Sequence, residues 1–512
     1  MSLTEGDRVL FMANALVDFK KICSLSLVWL VSLEASFEVE SKKGFFRLSH
    51  WRFSREAKCL IVVAIVAVLL ISVFAFLPKQ SAIKANIVSQ SSDNSTATPS
   101  PSPTATPQSQ GSQGPSFSNS NQTFTEVDVS PAPTFKSPGL IQSDTTMNST
   151  VWMKVAANAW AYFQPGVGVD NVTGLPLTGG ADFSGFTDSD LGCYIQAIID
   201  AQQLGLVGTG GAWGSDARIN MVLTFLENRP LNSTTNYPFQ FYNATNGQAY
   251  PEQANEIVDV VDTGKLFVAL NNLINLNSSL QQRIDNFVYN TYGNRSDYAA
   301  LVPSLEGDAG SNSIYSYYFI SGFASFWPSQ LGNVPSSIMN NIFNAKNVTT
   351  YGNVSLPDAA ILGDPLLCSV FELNNNSSQL MALSRQVYLA TEAYYNVTGH
   401  YAAFSEGSSP SGQWIYEWNV YPDGQTWVIL NEAGQNLSIT PIIYTKIAMG
   451  FLAIYNTTFA QNMVVYLEEA LPTPSSGYYN GVEESGIPLT TAGDLTNSLI
   501  LDAATYAIQN NP

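Results

Sequence analysis

Histidine is almost missing from this chain of 512 residues: only His50 and His400 occur. Cysteine is scarce too, limited to Cys23, Cys59, Cys193 and Cys368. No HExxH, CxxC or Cys/His cluster is present, which excludes zincin and zinc-finger sites, and four cysteines in so long a chain exclude a disulfide scaffold. GxSxG and P-loop motifs are lacking as well, and GTGGAW (Gly208–Trp213) departs from GxGxxG at its last position, so it is read as a plain loop. A Ser-His-Asp or Cys-His site would have to use His400, in a loop beside a sequon. Basic residues are few: 21 Lys and Arg against 40 Asp and Glu leave −19, which argues against a nucleic-acid partner. No metal and no cofactor is expected.

What the chain does have is one long apolar run. Cys59–Leu77 gives 19 residues without a charge, about enough to cross a hydrocarbon core of roughly 30 Å. Nine Lys and Arg lie in residues 1–58, while only Lys79 and Lys84 follow in the next fifty residues. The N-terminus is therefore expected in the cytoplasm. Fifteen N-x-S/T sequons follow the run and none precedes it, which places the bulk of a single-pass glycoprotein outside the cell. Residues 78–147 are rich in Ser, Thr and Pro, bury too little apolar surface to offset ordering entropy, and read as a disordered stalk. The remaining domain is 148–512. Its polarity rests on Asn, Ser, Thr, Gln and Tyr more than on charge, and few bases limit positive self-repulsion in acid. An acidic exterior and a neutral one both fit.

From Val151 onward helical periodicity alternates with loops rich in Gly, Pro and Asn. The spacing predicts helices at Val151–Phe163, Asp188–Leu204, Ser215–Asn228, Thr263–Leu276, Ser279–Tyr292 and Ser311–Trp327. It predicts six more at Ser336–Ala345, Asp358–Leu373, Ser377–Tyr395, Thr440–Tyr455, Thr458–Ala470 and Asp494–Gln509. Gln413–Val420 and Gln425–Asn431, separated by a Pro-Asp-Gly turn, predict a β-hairpin. Twelve helices without a fixed sequence period suggest six hairpins closed into a mostly α toroid, with the last helix beside the first.

Carboxylates gather in the loops: Asp188 and Asp190, Asp262, Glu306 and Asp308, Glu406, Glu417, Glu483 and Glu484. Thr187 with Asp190 has the spacing of a capping box, and Asp262 is placed for an N-cap. Glu406, Glu483 and Glu484 have no such structural duty. Carboxyls of this kind interleaved with Trp213, Trp327, Trp414, Trp418 and Tyr478 suit sugar hydrolysis, where one carboxyl protonates the leaving oxygen and another activates water or attacks. Cys193 and Cys368 read as buried thiols, with a disulfide as the alternative.

The order WAYF (Trp160–Phe163), TDSDLGCYIQAIIDAQQLGL (Thr187–Leu206) and VDTGKL (Val261–Leu266) resembles the N-terminal half of the domain-of-unknown-function family 3131 and the glycoamylase-like family. SYYFISGFASFWP (Ser316–Pro328), FSEG (Phe404–Gly407), WIYEWNVYPDGQTW (Trp414–Trp427), YTKIAMGFLAIY (Tyr444–Tyr455), GYYNGVEESG (Gly477–Gly486) and TNSLILDAATY (Thr496–Tyr506) resemble the C-terminal half. The resemblance implies a six-hairpin glycosidase toroid, with endo-β-1,2-glucanases among its relatives. By position it implies catalytic roles at Asp190, Glu406 and Glu484, with Glu483 as the competitor of Glu484. Ser189 stands where the family often carries Trp. The expected function is a membrane-anchored extracellular glycoside hydrolase of a glucan-like or cell-envelope polysaccharide, with Glu406 as acid and Glu484 or Asp190 as base. Asp188, Asp262, Glu306, Glu417 and the aromatics would bind substrate. A non-catalytic glycan-binding surface protein is the rival.

Overall fold

The computed structural model describes residues 140–510, apart from 180–183, 251–255, 374–376 and 473–475. The expected cytoplasmic segment, the span at 59–77 and the stalk up to residue 139 lie outside the described residues. The expected stalk boundary at residue 147 is corrected. Ile141 is fully buried and its N–H donates to the Glu468 carboxylate at 2.9 Å, so the folded body already includes residues 140–147. No helix among the described residues is long and apolar enough to cross a membrane.

Twelve helices of eight or more residues are present among the described residues. They are α1 (Ser149–Trp160), α2 (Asp188–Gln203), α3 (Ser215–Asn228), α4 (Val260–Leu276), α5 (Gln281–Val288) and α6 (Ile314–Phe326), then α7 (Val334–Asn344), α8 (Gly363–Glu372), α9 (Ser378–Thr398), α10 (Thr445–Tyr455), α11 (Thr458–Ala470) and α12 (Asp494–Asn510). Even-numbered helices form an inner ring. Each packs on the next, from α2 through α4, α6, α8 and α10 to α12, and α12 packs back on α2. Odd-numbered helices lie outside: α3, α5, α9 and α11 against the inner helix before them in sequence, α7 on α6, and α1 on α12. This is the expected toroid, closed as expected by its last helix.

The two layers differ for a physical reason. Outer α9 buries Leu380, Leu383, Val387, Ala390 and Tyr394 at three- and four-residue spacings and leaves its other side to solvent. Inner helices have neighbours on every side, so α2, α4, α10 and α12 are buried nearly throughout. Close approach requires glycine at two contacts. A Cβ on Gly322 of α6 would lie 2.1 Å from the Gly264 carbonyl oxygen of α4, and one on Gly264 would lie 2.5 Å from Phe319. The inner helices run parallel. Gly192 in the second turn of α2 meets Lys265 in the second turn of α4, and Ser498 in α12 donates to the Cys193 carbonyl at 3.0 Å. All six inner N-termini therefore open on one rim.

Among the boundaries that move relative to the sequence expectation are three inner-helix starts. Helix α4 starts at Val260, with Asp259 rather than Asp262 as its N-cap, accepting from Val261 and Asp262 N–H at 2.9 Å each. Helix α8 starts at Gly363, because Ala360 and Ile361 bridge to Ser313 and Val420. Helix α10 starts at Thr445, because Ile442–Tyr444 is a strand.

Strands β1 (Gly185–Phe186) with β2 (Tyr242–Asn243), and β3 (Asn347–Thr349) with β4 (Ser355–Pro357), make short pairs. The expected hairpin is β6 (Trp414–Tyr421) and β7 (Gln425–Asn431), extended by β5 (Glu406–Ser408) on its other edge. A further sheet orders β10 (Pro488–Ala492), β9 (Tyr479–Glu483) and β8 (Ile442–Tyr444).

Candidate active site

The first turn of every inner helix brings a polar side chain to the rim. They are Asp190 on α2, Asp262 on α4, Tyr315 on α6, Asp364 on α8, Lys446 on α10 and Asp494 on α12. Helix N-termini carry partial positive charge, which favours carboxylates there. The three-stranded sheet lies between α9 and α10 in sequence and brings Glu406 on β5 among them. Strand alternation puts Ile415, Glu417 and Asn419 on the buried face of β6 and leaves Trp414, Tyr416 and Trp418 half-exposed on the other. The half-exposed face borders the rim: Trp418 lies 6.4 Å from the Tyr315 ring, and the Trp414 side chain hydrogen-bonds Glu406.

Glu406 is 9% exposed and well held. The Tyr315 hydroxyl donates to Glu406 Oε1. The Glu406 peptide N–H donates to Asp364 Oδ2 at 3.3 Å, and Lys446 Nζ donates to the Glu406 carbonyl at 2.9 Å. Burial, then the charge of Asp364, pushes the Glu406 carboxyl up to about 7 against the opposing influence of Lys446, Tyr315 and Trp414.

Other rim carboxyls are raised as well. Thr187 and Asp190 form the expected capping box, with the Thr187 N–H donating to Asp190 Oδ2 at 2.6 Å. Asp190 also hydrogen-bonds Asp494 carboxyl to carboxyl, an arrangement that needs a proton between them. Burial lifts both, and lifts Asp494 well above the ordinary range. Asp262, with Asp259 taking the cap, accepts a 2.9 Å hydrogen bond from Gln240. Burial, then the charges of Asp259, Asp190, Asp188 and Glu406, raises Asp262 strongly.

Several sequence candidates stand elsewhere. Asp188 is fully buried in an ion pair with Arg229, which also donates to the Tyr298 hydroxyl at 2.7 Å; it locks α2 to the end of α3 and does not reach substrate. Glu417 is fully buried and accepts the Ile442 N–H at 2.8 Å, joining β6 to β8. Burial raises its carboxyl well above the usual range. Tyr478 is buried in the core, with its peptide N–H donating to Asn497 at 2.7 Å. Trp213 follows the C-terminus of α2, at the opposite end of the ring, where Arg218 lies over its face at 5.3 Å. Trp327 packs against Phe267, Phe323 and Tyr289 at the C-terminus of α6. Glu306 is exposed on the helical turn Val302–Gly307, with Asp308 just after it.

Glu483 ends β9 and accepts from Ser485 at 2.9 Å; Glu484 accepts from Tyr394 at 2.9 Å. Both lie at the end of β9 away from Asn480, whose side chain accepts from Thr496 in the first turn of α12. Asp190, Asp262 and Glu406 come together with Trp414 and Trp418, whereas Glu483 and Glu484 bond to Ser485 and Tyr394. His400 is exposed after the end of α9. Cys193 and Cys368 are free and buried. Among the described residues no group of three or more His, Cys, Asp or Glu is arranged to hold a metal ion.

Tyr315, Asp364, Tyr416, Lys446 and Asp494 join the site without having been singled out from sequence. The signal that finds all of these but Tyr416 is the two-helix period: once alternate helices are taken as inner and parallel, the polar residue in each inner first turn marks the rim.

A closed ring of six parallel helices, each with an outer partner, defines a six-hairpin α/α toroid, with carboxyls and an aromatic wall at one rim. Residues 154–296 and 336–510 match the family described as "Protein of unknown function (DUF3131)", and the chain belongs to that family. No curated protein matches it in sequence. Among solved structures it is similar to an endo-β-1,2-glucanase from Chitinophaga pinensis in complex with sophorotriose and glucose (11% identity, covering 71% of this chain and 95% of that chain, TM-score 0.48). It is also similar to an endo-β-1,2-glucanase from Talaromyces funiculosus in complex with sophorose (10% identity, 70% and 84%, TM-score 0.47). A β-1,2-glucanase from Parabacteroides distasonis is a third (12% identity, 72% and 57%, TM-score 0.44).

Proposed function

We propose that this chain is a glycoside hydrolase of a glucan-like or cell-envelope polysaccharide, with Glu406 as its general acid. The observation that carries the reading is a carboxyl brought to about 7 on a half-exposed aromatic wall, facing a second set of carboxyls across one rim. A group with that proton affinity is largely protonated in mildly acidic water and can deliver its proton to a glycosidic oxygen. The Trp414, Tyr416 and Trp418 face offers apolar surface for the C–H side of a sugar ring. The Asp190–Asp494 pair holds one proton between two carboxyls, so its anionic half can take a proton from the attacking water. Asp190, on the solvent side, is the base; Asp262 binds a sugar hydroxyl. Glu406 loses one proton and the pair gains one, which balances the hydrolysis.

The domain is placed outside the cell on the span at 59–77. The one-sided sequons support this, as do the nine exposed and two half-exposed asparagines among the eleven described sequons. Proteolysis of intact cells that released a glycosylated body would agree, and protection of the body would reverse the orientation.

The test incubates the full chain with α- and β-linked glucans and envelope polysaccharides and follows new reducing ends. Glu406→Gln should lower the rate by about 10²-fold or more with an unchanged melting temperature. Turnover unaffected by that substitution would overturn the assignment. Glycan retention without any cleavage would favour the binding-protein reading.

A further inference from the structure

An ion pair out of reach of substrate lies behind Glu406. Asp364 and Lys446 are each 2% exposed and stand 2.7 Å apart (Nζ to Oδ2), one from the first turn of α8 and one from that of α10. Between them they hold both backbone polar groups of one residue: Asp364 accepts the Glu406 N–H, and Lys446 donates to the Glu406 carbonyl. Glycines allow the approach. A Cβ on Gly363 would stand 2.3 Å from the Phe404 carbonyl, and one on Gly407 2.8 Å from the Tyr444 ring. Lys446 Nζ in turn lies 5.3 Å from the centre of that ring.

We propose that Asp364 and Lys446 are positioning residues, a clamp that fixes the direction of Glu406 and sets how tightly it holds its proton. The inference rests on the reading of Glu406 as general acid. A neutral acceptor would satisfy the Glu406 N–H as well, and a buried ion pair contributes little net stability once desolvation is counted. What the pair adds is two opposite charges behind one carboxyl. Asp364 favours the protonated form of Glu406 and Lys446 the ionised form, with Asp364 the stronger influence. The other groups facing Glu406 are Tyr315 from α6, Trp414 and Tyr416 from β6, Tyr444 from β8 and Asp262 from α4. None is a second cation.

The test reads Glu406 without any substrate. The Trp414 side chain bonded to Glu406 reports its protonation, so tryptophan fluorescence of the full chain is titrated with pH and the Glu406→Gln titration is subtracted. Asp364→Asn leaves Lys446 unopposed, and the midpoint should move to lower pH. Adding Lys446→Met removes both charges, and the midpoint should recover part of the way while staying below that of the wild type. If Asp364→Asn alone fails to fold, the double variant, which strands no charge, decides by the same comparison with the wild type. A midpoint that stays at the wild-type value, or a double variant that does not rise above Asp364→Asn, overturns the clamp. Where hydrolysis is present, the alkaline limb of kcat/KM should move with the fluorescence midpoint. Midpoints that shift in a protein cleaving no glycan would leave the clamp standing and sink the hydrolase reading alone.

Discussion

Among the buried carboxyls of this fold, Glu406 and Asp188 show how partner choice decides role. Asp188 meets a guanidinium in a buried pair and serves to hold α2 to the end of α3. Glu406 meets a phenol, an indole and a neighbouring carboxylate, and is left with a proton it can give away. Because the proposed hydrolysis needs Glu406 protonated, kcat/KM should fall above about pH 7, read from initial rates in overlapping buffers. A flat profile to pH 9 would remove Glu406 from the acid role. At Asp188 the consequence is stability rather than rate. Asp188→Ala strands Arg229 in the core and should cost about 3–5 kcal/mol in denaturant unfolding. A cost within 0.5 kcal/mol, the range of about ±0.5 kcal/mol usual for surface changes, would show that the pair does not hold α2 to α3.

The glycine contacts of the inner ring show why the elements sit where they do. Gly322→Ala would push a methyl into the Gly264 carbonyl and should destabilise by about 1–3 kcal/mol, measured as a lowered denaturant midpoint at unchanged m-value. All twelve helices were legible in the sequence, because three- and four-residue apolar spacing and side-chain caps such as the Thr187–Asp190 box are local signals. The hairpin was legible through its Pro-Asp-Gly turn. Strands β8, β9 and β10 were not, since each has only three to five residues and draws its stability from neighbours distant in sequence. The same holds for the site. Glu406 stood out as an acid without a local duty, whereas Asp364 and Lys446 are embedded in apolar helical sequence and meet only when α8 and α10 are packed together. Asp262 was misread as a cap because Asp259, three residues earlier, fills that place.

At the scale of the molecule, every carboxyl with a resolved shift among the described residues moves upward: Asp190, Asp200, Asp262, Glu406, Glu417, Asp494 and Asp502. Two of the pairs, Asp190 with Asp494 and Asp200 with Asp502, join α2 to α12 where the ring closes. Burial pushes Asp200 up to about 6 and raises Asp502 well above the ordinary range. A carboxyl raised on folding takes up protons, so its stabilisation is complete below the ordinary value near 3.8 and is lost as pH rises through the folded value. The melting temperature should therefore decline as pH rises from about 4 through 6 and beyond, and Asp502→Asn should flatten that decline. Calorimetry showing higher stability at pH 7 than at pH 4 would contradict this. The same closure has a kinetic side. Ser498 bonds Cys193 across 305 residues, and the rim draws on side chains from residue 190 to residue 494. A nascent chain can stack its hairpins into an open arc as they emerge, but that arc exposes the apolar sides of α2 and α10 until α12 fills the gap. Loop closure over such a separation is entropically costly and slow, so the last helix sets the moment at which the protein stops being a sticky intermediate and first has a complete rim.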